Sequence, residues 1–167
     1  MIRKLTRQDA KEYKKLRLLA LTTDPDVYFA SFADEERRDE SSMGSEIAAH
    51  TDPFGYFGWF DSNNALQAYV QISPAYFAKT KHTGDMYNLY VHPDLRGQGV
   101  ARELLSILLS KIRQEKKLEI LYLSVMQSNE TAIALYAALG FEQIGVKKKA
   151  VKLSDRYENE VLMQIEL

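Results

Sequence analysis

Apolar positions recur along the chain at two spacings, and each change of spacing marks a new element. Ile2-Arg3-Lys4-Leu5 reads as a short strand. Thr6-Arg7-Gln8-Asp9 follows as a capping-box start, with Thr6 as N-cap and an acid three residues on. Ala10, Tyr13, Leu16 and Ala20 then fall on one helical face running to about Thr22, and Asp24-Pro25 ends it. From Asp34 to Ala49 the chain is charged and reads as a helix with a poorly defined apolar face. Phe54 to Phe60 and Ala65 to Ile72 form a hairpin about the turn Asp61-Ser62-Asn63-Asn64, and a polar loop from Ser73 to Gly84 leads to a third strand, Met86 to Val91, stopped by Pro93. Helical spacing returns at Ala101, Leu104, Leu105, Leu108 and Ile112. Leu118 to Val125 is a short apolar strand. Asn129 starts a helix striped by Ala132, Leu135, Tyr136 and Leu139, and Gly140 stands where its end needs a residue free to adopt positive φ. Phe141 to Val146 and Glu160 to Ile165 complete the pattern as strands. The order is strand, two helices, three strands, helix, strand, helix, two strands: a mixed α/β fold on one sheet, read as a single domain over residues 1–167.

Composition narrows the function. Hydrophobic residues make up 46% and charged residues 27% of the 167, an ordinary globular balance. The 22 basic and 23 acidic side chains leave a net charge of -1, which argues against a nucleic-acid binder. No apolar run approaches a membrane span, and the N-terminus has no apolar leader, so neither a membrane nor export is expected. The absence of cysteine removes disulfides, thiolate nucleophiles and Cys-ligated metals; no metal is expected, and a cytoplasmic location is.

The chemistry-bearing segment is Val91-His92-Pro93-Asp94-Leu95-Arg96-Gly97-Gln98-Gly99-Val100-Ala101-Arg102, a strand end, a tight loop and a helix start. Unpaired amides and the positive end of the helix dipole suit an anion there, and small residues at Gly97, Gly99 and Ala101 let it approach the backbone. Arg96 and Arg102 add positive charge. The dinucleotide fingerprint fails because position 102 is Arg, and the P-loop fails because Val100 follows Gly99. A phosphate cradle of a third kind remains, beside the bland reading of a simple turn.

Arg96-Gly97-Gln98-Gly99-Val100-Ala101 resembles the acyl-CoA signature [Gln/Arg]-x-x-Gly-x-[Gly/Ala] of the GNAT superfamily of N-acetyltransferases. Asn129-Glu130-Thr131-Ala132-Ile133-Ala134-Leu135-Tyr136, followed by Leu139-Gly140-Phe141, is similar to that family's second motif. Asp155 to Met163 resembles its closing segment, with Arg156 in place of a Gly and Asn159 in place of an Asp. The resemblance implies a mostly antiparallel sheet, splayed at the coenzyme site and flanked by helices. It implies an acetyl-CoA-dependent transfer of acetyl to a primary amine of a small molecule or peptide; the alternative is a non-catalytic acyl-CoA-binding module of the same fold. By the same resemblance, the backbone of Tyr90 and Val91 holds the pantetheine end, with Val91 N–H a donor to the oxyanion. The amides from Arg96 through Gly97, Gln98, Gly99, Val100 and Ala101 to Arg102 take the pyrophosphate. Asn129 contacts the pantetheine besides capping its helix, and Tyr136 faces the sulfur as donor to the leaving thiolate.

A lysine-like amine is only about 0.04% neutral at pH 7, so a base is useful. Many relatives carry a Glu where this chain has Tyr87. Asp85, His82, His92 and Tyr122 are other titratable groups near the expected cleft, and no base is assigned. The aromatic residues between Tyr28 and Phe77 divide between core and acceptor cleft. The acids Asp34, Glu35, Glu36, Asp39 and Glu40 fit either attraction of a cationic acceptor or a solvated helix face, since Arg37 and Arg38 sit among them. A homodimer through the terminal strands is compatible with the pattern.

Overall fold

A computed structural model describes residues 1–167. Its elements are β1 (Ile2–Lys4), α1 (Ala10–Thr23), α2 (Phe32–Arg37), α3 (Glu40–Ala48), β2 (Gly55–Phe60), β3 (Leu66–Pro74), β4 (Thr83–Val91), α4 (Val100–Glu115), β5 (Ile120–Met126), α5 (Glu130–Ala138), β6 (Glu142–Lys152) and β7 (Tyr157–Glu166). All seven strands join one open sheet in the order β1-β2-β3-β4-β5-β7-β6, antiparallel throughout except for the parallel pair β4–β5. The mixed, mostly antiparallel sheet flanked by helices is therefore as expected.

Two cores lie on opposite faces of the sheet. The larger packs α4, through Leu104, Leu105, Leu108 and Ile112, with Tyr136 of α5, against Val70 and Ile72 of β3, Leu121 and Leu123 of β5 and Met163 of β7. The smaller packs Tyr13, Leu16 and Ala20 of α1 with Met43 and Ile47 of α3 against Tyr56, Tyr69 and Tyr90. Each buried aliphatic side chain in these layers contributes about 1.5–3 kcal/mol over exposure.

Several boundaries differ from the expected ones for local reasons. The charged stretch is two helices, because Ser31 and Asp39 each accept from a backbone N–H three residues on and so start separate helices. The acidic group is not a uniformly solvated face either. Glu35 is buried beside buried Arg17, 3.7 Å away, and receives a hydrogen bond from Arg38 at 2.7 Å. Thr6 enters through a 3-10 turn, Arg7–Asp9, in which the Asp9 carboxylate accepts from Thr6 N–H at 2.7 Å and pairs with Arg3 at 2.7 and 2.8 Å. The last two strands are longer than the apolar pattern suggested. Lys147 to Lys149 belong to the sheet-edge strand β6, which is largely exposed, so no alternation marks it.

Candidate active site

The site begins with the two edges of β4. Toward β3 the pairing runs from Gly84 opposite Pro74 to Val91 opposite Ala68, with one extra residue on β4 between Tyr87 and Tyr90. This bulge holds Asn88 at φ +56°, its side chain donating to Gln71 at 3.0 Å. Toward β5 the pairing covers only Thr83–Met86 against Ile120–Leu123. Beyond it the strands part and this edge of β4 is open.

Antiparallel alternation decides what the open edge offers. His92 N–H donates to Gln67 at 2.8 Å, so the polar backbone groups of Val91, one residue earlier, point away from β3 into the gap. The carbonyls on this edge are occupied: Tyr28 hydroxyl donates to Leu89 O at 3.0 Å, and Arg96 Nε to Val91 O at 3.1 Å. The N–H of Val91 is left facing the gap.

The loop from β4 to α4 turns at two left-handed residues, Gly97 at φ +74° and Gly99 at φ +83°. No protein atom lies within 4 Å of where a Cβ would stand at either, so their surface is open. Gly99 is the N-cap of α4 and supplies no side chain to cap it. The first helical bond is Glu103 N–H to Gly99 O at 2.9 Å, which leaves the amides of Val100, Ala101 and Arg102 without helical partners. Sixteen aligned peptides add positive potential at this end.

A cavity of about 510 Å³ runs from this loop along β4 to the start of α5. Tyr90, Val91, Arg96, Gly97, Gly99, Val100, Ala101, Arg102 and Asn129 all line it. Gln98 does not, and its amide donates to Asp94 O at 2.7 Å. Arg102 is exposed and free of ion pairs. Arg96 is engaged with Asp24 at 2.6 and 3.2 Å, so its charge is largely compensated rather than spare as the sequence suggested. Burial opposes ionisation of Asp24, but the hydrogen bonds from Arg96 and Thr23 outweigh it and hold the carboxyl below its usual range. Asn129 caps α5, accepting from Ala132 N–H at 3.1 Å, and reaches the cavity as well.

A second cavity, of about 160 Å³, lies in the gap between β4 and β5. Tyr136 lines it from α5. Its ring packs edge-on against Phe141, with centroids 5.8 Å apart, and its hydroxyl makes no hydrogen bond within the protein. Burial pushes its phenol well above the ordinary value, so at neutral pH it keeps its proton and can donate a hydrogen bond. Tyr87 is exposed at the mouth. Burial raises its pKa, as does the adjacent carboxyl of Asp85, itself raised by burial. His82 is exposed, and His92 accepts from Asp94 N–H at 3.4 Å.

Two residues at the site were not singled out from the sequence. The sequence pattern marks Asp24 only as a helix terminator, and nothing local announces a partner 72 positions away. Glu160 lines the smaller cavity and is buried, its Oε1 accepting from Ser124 at 2.9 Å. The usable signal for Glu160 was an acid leading directly into the apolar run of a terminal strand.

The model of the acetyltransferase (GNAT) family matches residues 13–141. The chain belongs to the GNAT acetyltransferase family. Among relatives, the ribosomal protein bS18-alanine N-acetyltransferase of Haemophilus ducreyi is 37% identical over 83 residues, which are 49% of this chain and 57% of that protein. The chain spans about half the length of the curated relatives it matches first. Among solved GNAT structures, a phosphinothricin acetyltransferase from Sinorhizobium meliloti in complex with acetyl-CoA superposes with a TM-score of 0.85 at 20% identity, over 100% of this chain and 88% of that one. A GNAT-family acetyltransferase from Streptococcus pneumoniae gives 0.81 at 21%, over 100% and 99%. At these identities the structural likeness establishes the GNAT fold.

Proposed function

We propose that this GNAT chain, acting as one domain, is an acetyl-CoA-dependent N-acetyltransferase. It transfers the acetyl group from the thioester to a primary amine of a small molecule or peptide by direct attack. The observation that carries the reading is the conjunction of an open β4 edge with an uncapped helix start, joined by one cavity.

Coenzyme A fits what the residues offer. The amides of Val100 to Arg102, with the open surface of Gly97 and Gly99 and the charge of Arg102, suit the pyrophosphate. The edge by Tyr90 and Val91 suits the pantetheine, which can pair with it as an added strand would. Asn129 has side-chain N–H groups to spare for the same arm. At the thioester, Val91 N–H stabilises the oxyanion that forms when the amine attacks, and the Tyr136 hydroxyl hydrogen-bonds the departing thiolate. The relatives' names, which specify an alanine of a ribosomal protein, support a peptide α-amine among the first acceptors to try.

Tyr87, at the position where the family resemblance leads one to expect a Glu, favours the second reading, a non-catalytic acyl-CoA-binding module. Thiol release from acetyl-CoA, measured against a panel of polyamines, amino acids and N-terminal peptides, separates the two. Catalysis predicts release that rises with one class of amine; acetyl-CoA binding without any amine-dependent release supports the binding module.

A further inference from the structure

Polar groups around the smaller cavity are nearly all committed. Tyr28 hydroxyl donates to Leu89 O, the Asn88 amide to Gln71, Ser124 to Glu160, and Asn129 accepts from Ala132. Besides the exposed Tyr87 and the side-chain N–H groups of Asn129, two lining groups keep unused capacity: the Tyr136 hydroxyl, a donor, and the Glu160 carboxylate, an acceptor only. Glu160 is 7% exposed, yet its second oxygen meets only Lys147 Nζ, at 3.5 Å, and Lys147 is mostly in solvent. A buried carboxylate with one good hydrogen bond and one long ion pair is poorly compensated.

The register places this anion. Met126 pairs with Glu160 and Val125 with Val161, and Val125 and Val161 belong to the core under α4. Glu160 therefore stands on the opposite face of the sheet from Tyr136, and the cavity in the gap between β4 and β5 reaches both. The remaining walls, among them Met86, Val125 and Met126, are apolar, with Phe29 and Tyr87 exposed at the mouth. At about 160 Å³ the space is below that of a whole small-molecule site and takes a head group with its first carbons.

We propose that Glu160 is the anchor of the acceptor subsite: its Oε2, held only by the long Lys147 pair, receives the primary ammonium group of an amine whose adjacent carbons are apolar, entering from the face opposite Tyr136. This rests on the acetyltransfer reading and adds the acceptor's chemical class, an ammonium flanked by alkyl or aryl carbon, carried by a small molecule or by a peptide N-terminus. Lys147, on the same carboxylate oxygen, competes with the incoming cation.

The test measures binding of two probes, benzylamine and tri-alanine amide, to the acetyl-CoA-loaded protein by saturation-transfer NMR, with thiol release in parallel. Glu160→Gln, nearly isosteric, is expected to weaken the better probe about 10-fold or more and to leave acetyl-CoA affinity within about twofold. Lys147→Ala, an exposed change, is expected to tighten the same probe by roughly two- to fivefold, which a merely structural Glu160 would not produce. The proposal is overturned if neither probe binds the parent protein, if benzyl alcohol binds as well as benzylamine, or if Glu160→Gln leaves amine affinity unchanged. Glu160-dependent amine binding with no thiol release would instead refute the acetyltransfer reading and leave the anchor standing. Preference for benzylamine or for the tripeptide tells the small-molecule source from the peptide source.

Discussion

At the residue scale, Tyr136 does two jobs that one substitution can separate. Its ring fills the core against Phe141, while its hydroxyl has no partner inside the protein. Tyr136→Phe keeps the ring, so its melting temperature is expected to stay within about 2 °C of the parent. Turnover is expected to fall about 10- to 100-fold with acetyl-CoA affinity little changed, as steady-state thiol release and calorimetry would report. Asp9 tests a different property. The Arg3 guanidinium, against some cost of burial and with help from Thr6, lowers the Asp9 carboxyl to about 2. A depressed folded-state pKa stabilises the protein above the unfolded value and loses that contribution as pH falls toward 2. With allowance for solvent screening, Asp9→Asn is expected to cost about 1 kcal/mol at pH 7, the difference closing near pH 2 in urea-unfolding measurements. The motif residues were legible at this scale because loop and cap chemistry is local. Asp24, Glu35 and Glu160 were not, because what gives each its role is a partner distant in sequence: Arg96, Arg17 and Ser124.

Among the elements, the turn into α4 carries the most specific prediction. Gly99 sits at φ +83° with open space where a side chain would go. Any L-residue there pays roughly 1–2 kcal/mol for the left-handed backbone. Gly99→Ala measures that strain alone, and acetyl-CoA affinity is expected to drop about 10-fold or less. Gly99→Glu adds a negative charge over the uncapped amides and is expected to drop it by roughly 100-fold or more in calorimetric titration. Equal affinities for the two variants would remove the anion from this turn. Periodicity found α1, α4 and β5 because each has one buried face and one wet face. It merged α2 with α3, where short helices rest on caps and arginine pairs rather than on an apolar stripe, and it shortened β6, whose residues face solvent on both sides.

For the whole molecule, a ligand in the larger cavity would touch pieces that the protein itself leaves apart. Acetyl-CoA at about 100 times its dissociation constant is expected to add roughly 2.7 kcal/mol of stability, with ATP and NAD adding none at equal concentration in thermal unfolding. A rise with ATP alone would favour a nucleotide enzyme instead. The overall architecture was legible from the order of strands and helices. The extent of the parting was not, since it depends on where a parallel ladder stops, and no single residue encodes that. The ladder stops after four rungs, leaving the sheet in two wings, β1–β4 and β5-β7-β6, stitched at one end. Of the amides in β4 and β5, those facing this seam, at Val91, Ser124 and Met126, should trade with heavy water most readily. A coenzyme threaded along it would act as a keystone, so that loading the protein with its first substrate would also stiffen the groove that the second must enter.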